Sequence, residues 1–435
     1  MTIRKITLFV SALLAATFAM AQTNGSNSPY SRYGFGLLND RYSARITDMA
    51  GTGLGSRSGA ALNVLNPASY SAIDSLTFLF DAGLTLQNNY LTEGSLKVNA
   101  RNTSLDYITV GFRLRPRLGF SLGFLPYSTV GYDFSRKSTM QSQTGEVTQT
   151  NAYKGDGGLH VAYAGIGWEP LRGLSVGANF GYLWGDIDHS VTSSFSDATI
   201  STLRRQYSVS LHTYKADFGL QYVQSIGKKH TLTLGLSYGL GHDINRKAFF
   251  YDLKSVGNRF VGDTIGAAKA FALPTSFGAG LAWTWNRSLT LSVDYNLQKW
   301  ADVRMPELSV GADGRYIYNV SKGQLLDRSR FSAGVEYIAN EEGLRWRDHV
   351  RYRAGFSYTS PYVRVNGQDG PKSYIISAGV GLPVNTNYSN RCIVNLGVQY
   401  EHVAPGAKTL LKEDYIRFTI GISFNERWFA KWKAQ

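Results

Sequence analysis

Stretches of about ten residues in which apolar and polar side chains alternate recur along most of this chain of 435 residues. In one of them, the apolar Leu289, Leu291 and Val293 are separated by the polar Thr290 and Ser292. A period of two is typical of a β-strand with one apolar and one polar face. Strands of soluble proteins usually last about five or six residues, whereas a tilted membrane-spanning strand needs roughly nine to eleven. The length of these stretches therefore favours strands that cross a membrane.

Fourteen segments show this alternation. They lie near 76–88, 104–114, 118–135, 158–168, 173–187, 206–225, 230–241, 276–285, 288–297, 329–338, 350–359, 373–383, 392–402 and 416–425. Short links such as Arg115-Pro116-Arg117 alternate with longer polar links near 89–103, 136–157, 188–205, 246–275, 301–328, 360–372 and 403–414. An up-and-down barrel with both termini in the periplasm requires this alternation, whereas Greek-key connections do not. We therefore expect an all-β protein whose residues 76–425 form a 14-stranded antiparallel transmembrane barrel.

The start of the chain resembles a secretory signal peptide. Arg4 and Lys5 precede an apolar stretch that ends at Phe18, and Ala19-Met20-Ala21 forms a small-x-small cleavage site. We expect residues 1–21 to direct Sec export to the outer membrane of a Gram-negative cell. An uncleaved anchor is disfavoured because the segment is short, and no later stretch approaches the roughly 18 apolar residues of a membrane-spanning helix.

Residues 22–75 precede the first strand and do not alternate. They include the glycine-rich stretch 51–59, whose spacing does not match that of a dinucleotide-binding loop. Side chains alone would not fill the lumen of a barrel with 14 strands. We therefore expect residues 22–75 to form a plug, or hatch, inside the barrel, and residues 426–435 to form a C-terminal tail.

The remaining composition gives little support for chemistry or nucleic-acid binding. The net charge is +14, but the basic residues are scattered, so a nucleic-acid partner is not expected. Cys392 is the sole cysteine, and the seven histidines show no metal-ligand spacing. No serine stands in a nucleophile-elbow context. We expect no enzyme activity, no cofactor and no metal; a weak calcium site at Asp186 and Asp188 is disfavoured against a solvated loop.

Several motifs carry a resemblance to a known family. Asn66-Pro67-Ala68, which follows the glycine-rich stretch, resembles the hatch motif of the FadL/OmpP1/TodX outer-membrane transporters. Other similar stretches occur in the same order: Phe124-Leu125-Pro126-Tyr127 with Gly131 and Tyr132, Leu273 to Gly280, Leu291 to Trp300, and Arg353 to Tyr358 with Ser360-Pro361. The resemblance spans roughly residues 45–425. The tail 426–435 is similar to those of outer-membrane proteins from the Bacteroidota, so we expect a Bacteroidota-type member.

This resemblance implies a channel for hydrophobic molecules such as long-chain fatty acids or aromatic hydrocarbons. It also implies that ligand leaves sideways through a gap at a kinked third strand. Pro126 removes one hydrogen bond from that strand, and Gly123 and Gly131 permit a bend. The alternative is a proline near a strand end or bulge, without any gap. The motif Asn66-Pro67-Ala68 is expected to hold the hatch against the wall.

The link at 246–275 is the most apolar of the predicted outer loops. Its Phe249, Phe250, Phe260 and Phe271 are candidate contacts for an incoming ligand, because exposed aromatic residues often mark a binding surface. The alternative is that they pack into a small core of the loop. The tryptophans are expected in girdles at the membrane interface, namely Trp283, Trp285, Trp300, Trp428 and Trp432.

Two functions follow from these expectations. The first is passive uptake of a hydrophobic small molecule across the outer membrane, with membrane lipid and that ligand as partners. The second is a barrel that does not transport and instead acts as a partner or adaptor of a secretion or assembly complex, similar to type IX secretion, with protein partners. A general porin for polar solutes is disfavoured by the plug.

Overall fold

The computed structural model describes residues 26–142, 145–384, 392–406 and 410–427. The predicted signal peptide 1–21, Trp428, Trp432 and residues 428–435 of the predicted tail lie outside the described residues.

The described residues form a closed antiparallel barrel of fourteen strands, which confirms the predicted fold class. The strands are β1 (Thr77–Glu93), β2 (Leu96–Arg115), β3 (Leu118–Ser142), β4 (Gly145–Leu171), β5 (Leu174–Phe195), β6 (Leu203–Ile226), β7 (His230–Gly239), β8 (Ser276–Trp285), β9 (Leu289–Gln298), β10 (Arg328–Ile338), β11 (Arg351–Thr359), β12 (Lys372–Pro383), β13 (Ile393–Ala404) and β14 (Lys412–Arg427). Each strand pairs with its neighbours in sequence, and β1 pairs with β14 over sixteen residues, from Thr77↔Arg427 to Thr92↔Lys412. This last pairing joins the first strand to the last and closes the sheet into a barrel.

The remaining elements lie in the lumen and in the connections. They are the 3-10 helices Pro29–Arg32, Pro67–Ala72 and Trp346–His349, the helix α1 (Ala44–Asp48), and the strands Leu37–Leu38, His242–Ile244, Lys247–Val256, Arg259–Ala268, Phe271–Leu273, Met305–Val310, Tyr316–Ser321, Arg364–Val365 and Gln368–Asp369. None of the described helices has the length and apolar character needed to cross a membrane.

The alternation in sequence corresponds to two environments. On β9, Leu291 and Val293 face outward and are exposed, whereas Ser292 and Asp294 face the lumen and are buried. A charge at an outward position would cost about 2–4 kcal/mol near the bilayer midplane, while the lumen provides polar partners. The barrel is therefore apolar outside and polar inside.

The prediction of long loops at the first three outer connections is wrong, because these connections are mostly strand. β3 and β4 contain 25 and 27 residues and continue as a paired ribbon through most of the predicted link 136–157. The links predicted near 89–103 and 188–205 are likewise mostly strand. Beyond the membrane no lipid selects apolar side chains on the outer face, so the alternation disappears although the hydrogen-bond ladder continues.

Residues 26–75, the described part of the predicted hatch, pack inside the barrel. The helix Pro67–Ala72 contacts β4, β5 and β6, and α1 contacts β11, β12 and β13. Glycines on the wall allow the close approach: a Cβ on Gly177 would lie 2.4 Å from the carbonyl carbon of Pro67. The lumen-facing glycines of the strands thus form the seat on which the plug backbone lies.

Candidate functional site

The wall of the barrel is interrupted between β2 and β3. These strands pair from Arg115↔Leu118 to Ile108↔Phe124. Among the described residues, no further pairing joins them, although β2 continues back to Leu96 and β3 continues to Ser142. Above this point β2 pairs with β1, and β3 pairs with β4. The two strands therefore diverge at the position where the third strand was expected to bend.

Pro126 lies at the start of this break. Proline has no N–H group to donate to a neighbouring strand, and the pairing of β3 with β4 also shifts between Pro126 and Ser128, where Tyr127 is extra. A bulge of this kind bends the strand and increases its twist. Gly123, in contrast, is still paired with Thr109 of β2. The break thus begins between the predicted bend residues Gly123 and Pro126.

A segment of the plug covers the edge of β3 that β2 has left. Leu37 and Leu38 form a short antiparallel strand with Thr129 and Ser128. The Asn39 backbone N–H donates to the Tyr127 carbonyl at 2.9 Å, and the Asn39 side chain donates to the Pro126 carbonyl at 3.0 Å. The plug therefore replaces β2 as the hydrogen-bond partner of β3.

The first described residues extend this cover across the break. The Gly131 backbone N–H donates to Ser31 Oγ at 3.1 Å, and Ser26 Oγ donates to the Gly131 carbonyl at 2.8 Å. On the other side, the Asn27 side chain donates to Asn102 of β2 at 2.9 Å. We call residues 26–39 the sealing segment, because they bond to both edges of the break. Gly131, predicted as a bend residue, is a contact point of this segment.

A cavity of about 160 Å³ lies in the lumen beside the break. Its apolar lining includes Leu54, Leu125, Pro126, Val161 and Leu273, and the sealing segment contributes Leu38 and Asn39. Its lining also has a charged part, made up of Asp40, Lys215, Asp217 and Arg328. A dry cavity of about 150 Å³ in another protein is large enough for benzene. The cavity therefore has room for a small hydrophobic molecule or for part of a longer one.

A second, polar cavity of about 130 Å³ adjoins the first, and both are lined by Leu38, Asn39, Asp40 and Arg328. Its lining includes four arginines, Arg41, Arg328, Arg330 and Arg417, against the acidic Asp40 and Glu401. Arg41 Nη1 and Arg330 Nε are buried without a hydrogen-bond partner. This cavity therefore offers a cationic environment for a carboxylate or another anionic group.

Ion pairs between plug and wall were missed by the sequence reasoning. They join Asp40 to Arg328 and Arg330, Arg41 to Asp106, Arg45 to Glu336, Asp48 to Arg353 and Arg57 to Glu169. The Arg353 and Asp48 side chains are each 1% exposed and lie 3.2 Å apart. The only signal in the sequence was a charged residue at lumen-facing strand positions such as Asp106, Arg330 and Glu336. Loss of one partner of a buried pair typically costs about 3–5 kcal/mol, so these pairs hold the plug in place.

We expect Asp40→Asn to weaken the seat of the plug. Burial by itself would raise the pKa of Asp40, but the facing guanidinium groups of Arg328 and Arg330 lower it to about 2. The fall of this pKa from the ordinary 3.8 to about 2 corresponds to roughly 2 kcal/mol of stabilisation of the folded state, since one pKa unit is about 1.4 kcal/mol. Opening events in planar-bilayer recordings should become at least tenfold more frequent in this variant at neutral pH.

The matched control for this variant is Asp74→Asn, which changes an exposed plug residue. It should behave as the wild type. Because the pKa of Asp40 is lowered on folding, its contribution is complete above about 3.8 and is lost as the pH falls towards 2. The wild type should approach the behaviour of Asp40→Asn over that pH range, and equal opening frequencies for the two proteins at neutral pH would contradict the assignment.

The residues of the predicted hatch motif lie against the wall. The Asn66 amide faces the carbonyls of Leu54 at 3.0 Å, Leu220 at 3.2 Å and Leu236 at 3.3 Å, so it connects the plug with β6 and β7. Asn66 Oδ1 accepts from the Ala68 backbone N–H and caps the 3-10 helix Pro67–Ala72. Pro67 and Ala68 are buried.

The four candidate aromatic residues do not converge. Phe250 is fully buried and packs on Tyr207, with ring centroids 5.0 Å apart. Phe271 packs on Phe35 of the plug and lines an outer cavity of about 330 Å³. Phe249 and Phe260 are exposed on the hairpin Lys247–Val256 and Arg259–Ala268. Of these four, Phe271 alone borders a described cavity.

The predicted girdle position of Trp300 is wrong. Its side chain is fully buried and packs on Phe35 of the plug, with centroids 5.3 Å apart. β9 ends at Gln298, so Trp300 lies after the strand and turns towards the lumen. Trp285, which ends β8, is exposed. Among the described residues, no group of His, Cys, Asp and Glu is placed to hold a metal ion.

Solved structures share this architecture. The Pseudomonas putida toluene transporter TodX is 16% identical and has a TM-score of 0.59, with 89% of this chain and 99% of that chain covered. The Ralstonia pickettii toluene transporter TbuX is 15% identical with a TM-score of 0.59, covering 91% and 100%. A Pseudomonas aeruginosa FadL homologue is 11% identical with a TM-score of 0.58, covering 89% and 98%. At these identities the likeness shows the fold, a FadL-type barrel.

Sequence comparison gives the family. No curated protein was found to match the chain. The profile of the BamG family matches residues 2–435, which is almost the entire sequence. The chain therefore belongs to the BamG family.

Proposed function

We propose that this protein is an outer-membrane channel for hydrophobic small molecules, exported by the Sec route in a Gram-negative bacterium. The observation that carries the proposal is the break between β2 and β3 beside the 160 Å³ cavity, because Leu125 and Pro126 line that cavity. Two of the solved relatives are described as toluene transporters, which supports a hydrophobic substrate.

The route runs from the outer cavity, which Phe271 lines, to the lumen cavity, and then sideways into the bilayer. The last step requires the sealing segment to withdraw from Thr129 and Ser128. Apolar ligand avoids the polar headgroup region on this path and moves down its concentration gradient. The proposal needs no cofactor.

The paired cavities favour a ligand with an apolar body and an anionic head, such as a long-chain fatty acid. The apolar part of the first cavity accommodates hydrocarbon, and the arginine-lined cavity accommodates a carboxylate. Charge-assisted hydrogen bonds between guanidinium and carboxylate groups are among the strong ones in proteins. The unpartnered Arg330 Nε would gain an acceptor from such a ligand. A neutral aromatic hydrocarbon would occupy the first cavity alone.

The second candidate function is an adaptor of a secretion or assembly complex that does not transport. Two observations favour it. The sealing segment bonds to both edges of the break, and buried ion pairs hold the plug in the lumen. The wall of the barrel is therefore closed in this structure. The ribbons of β3 to β6 also extend well beyond the length that a membrane requires, which gives a partner protein an outer surface to bind.

Purification in a gentle detergent distinguishes these functions, with Val161→Trp as the test variant. Val161 lines the lumen cavity, so the larger ring should fill it and reduce the amount of co-purifying fatty acid or lipid at least tenfold by mass spectrometry. Ile166→Trp is the matched control, because Ile166 lies on the same strand and is exposed on the outer face. Its bound ligand should equal that of the wild type.

The same preparations test the adaptor. The adaptor function would replace the channel function if two results were obtained together. Stoichiometric proteins would co-purify with both the wild type and Val161→Trp, and neither preparation would contain a lumen ligand. A folding readout, the shift in gel mobility on heating, should be the same for all three proteins.

A further inference from the structure

The periplasmic end of the barrel carries an uneven distribution of charge. Exposed cations lie on the five consecutive strand connections from β2–β3 to β10–β11, and among the described residues seven of them take part in no ion pair: Arg115, Arg117, Arg172, Lys228, Lys229, Arg345 and Arg347. We call these seven residues the basic rim. They lie on four of these five connections, and Arg287 on the fifth, between β8 and β9, is paired with Glu342.

The acidic residues of these connections are already engaged. Glu169 accepts from Arg57 of the plug and from the Gly173 backbone N–H. Glu342 pairs with Arg287 at 2.9 Å and Glu341 with Arg351 at 3.9 Å, and Asp348 accepts from the Arg345 backbone N–H. The rim therefore has an excess of positive charge that the described part of the protein does not neutralise.

The basic rim lies at the level of the lipid headgroups along the membrane normal. Arg115 and Arg172 each follow directly after an exposed leucine, and Lys228 comes two residues after Ile226, which is also exposed. At about 3.3 Å per residue, these charges lie within roughly 7 Å of the apolar outer face. The headgroup layer on each side of a bilayer is of similar thickness, roughly 5–7 Å.

The connection between β10 and β11 adds an apolar component. Leu344 is 90% exposed and Trp346 is 52% exposed, and they alternate with Arg345 and Arg347. Exposed apolar side chains beside cations are typical of a segment that sits in the membrane interface, where the rings reach the acyl boundary and the charges meet phosphate.

We propose that the basic rim binds the headgroups of anionic phospholipids in the periplasmic leaflet. Phosphatidylglycerol supplies the phosphate that the arginines and lysines would pair with, and phosphatidylcholine, which has no net charge, is the reference lipid. Interfacial cations attract anionic lipid, and the attraction falls with ionic strength. The proposal holds for a channel and for an adaptor alike.

The test compares two quadruple variants by native mass spectrometry in detergent with added dioleoyl-phosphatidylglycerol or dioleoyl-phosphatidylcholine. The rim variant is Arg117→Gln, Arg172→Gln, Lys228→Gln and Lys229→Gln. The control is Lys97→Gln, Arg101→Gln, Arg136→Gln and Lys137→Gln, which removes four exposed cations from the outer ends of β2 and β3. The wild type should prefer phosphatidylglycerol, the rim variant should bind it at least tenfold more weakly, and the control should stay within twofold.

Three results would overturn the proposal. They are equal binding of the two lipids by the wild type, equal losses in the two variants, and unchanged binding when NaCl rises from 50 to 500 mM. A polyglutamate peptide that binds the rim and is not displaced by phosphatidylglycerol would instead assign the rim to an acidic protein. The heat-induced gel shift checks that both variants are folded.

Discussion

Deletion of residues 22–60 should convert the barrel into an open pore, with a planar-bilayer conductance at least tenfold above that of the full-length protein. A lumen enclosed by fourteen strands is too wide for wall side chains to fill. The deletion removes the sealing segment and the plug partners Asp40, Arg45 and Asp48, while the hydrogen bonds between strands remain. The lumen-facing charges that remain, such as Glu336 and Arg353, would then be hydrated by water and ions.

The control for this prediction is deletion of the outer hairpin 247–268. That hairpin pairs with the outer end of β6 and contributes no residue to the plug, so its loss should leave the conductance low. A folded barrel without residues 22–60 whose conductance equals that of the full-length protein would show that the plug does not close the lumen.

A disulfide between the sealing segment and β3 should abolish sideways release of ligand. Leu38 and Ser128 are direct antiparallel partners, and such pairs have Cα separations of about 4.5–5.5 Å, within the range that a disulfide bridges. In a Cys392→Ser background, the oxidised Leu38→Cys/Ser128→Cys variant should take up a fluorescent fatty acid into proteoliposomes at least tenfold more slowly. Reduction should restore the rate, because the sealing segment of the same molecule can then withdraw from β3 again.

The control is Glu307→Cys/Asn319→Cys, which links partners in a separate outer hairpin. Its uptake should be the same when oxidised and when reduced. If oxidation of the Leu38–Ser128 pair also leaves uptake unchanged, release through the break between β2 and β3 is refuted. The binding of ligand in the lumen cavity is tested separately by Val161→Trp, so that conclusion does not depend on this result.

The resemblance places Pro126 near a bend, but it leaves open whether the strand has a gap or only a bulge there. The structure contains both: a bulge between Pro126 and Ser128 on the β4 side, and a loss of pairing on the β2 side. It also adds the sealing segment, which no pattern in the sequence indicated. Residues 26–39 have no alternation, and their partners lie about a hundred positions away, as Ser31 and Gly131 do.

The sequence by itself determined the closed barrel, its fourteen strands and the face of each strand that meets lipid. Every outward-facing position within the membrane contacts lipid and is therefore apolar, and strand edges exposed to lipid are avoided. The strands can therefore be predicted from the alternation within each segment alone. The tertiary structure alone decided where the plug binds, how the break is covered and that Trp300 is buried. These features depend on pairs such as Asp40 and Arg328, which are 288 residues apart, and a contact between distant residues leaves no periodic signal in either segment.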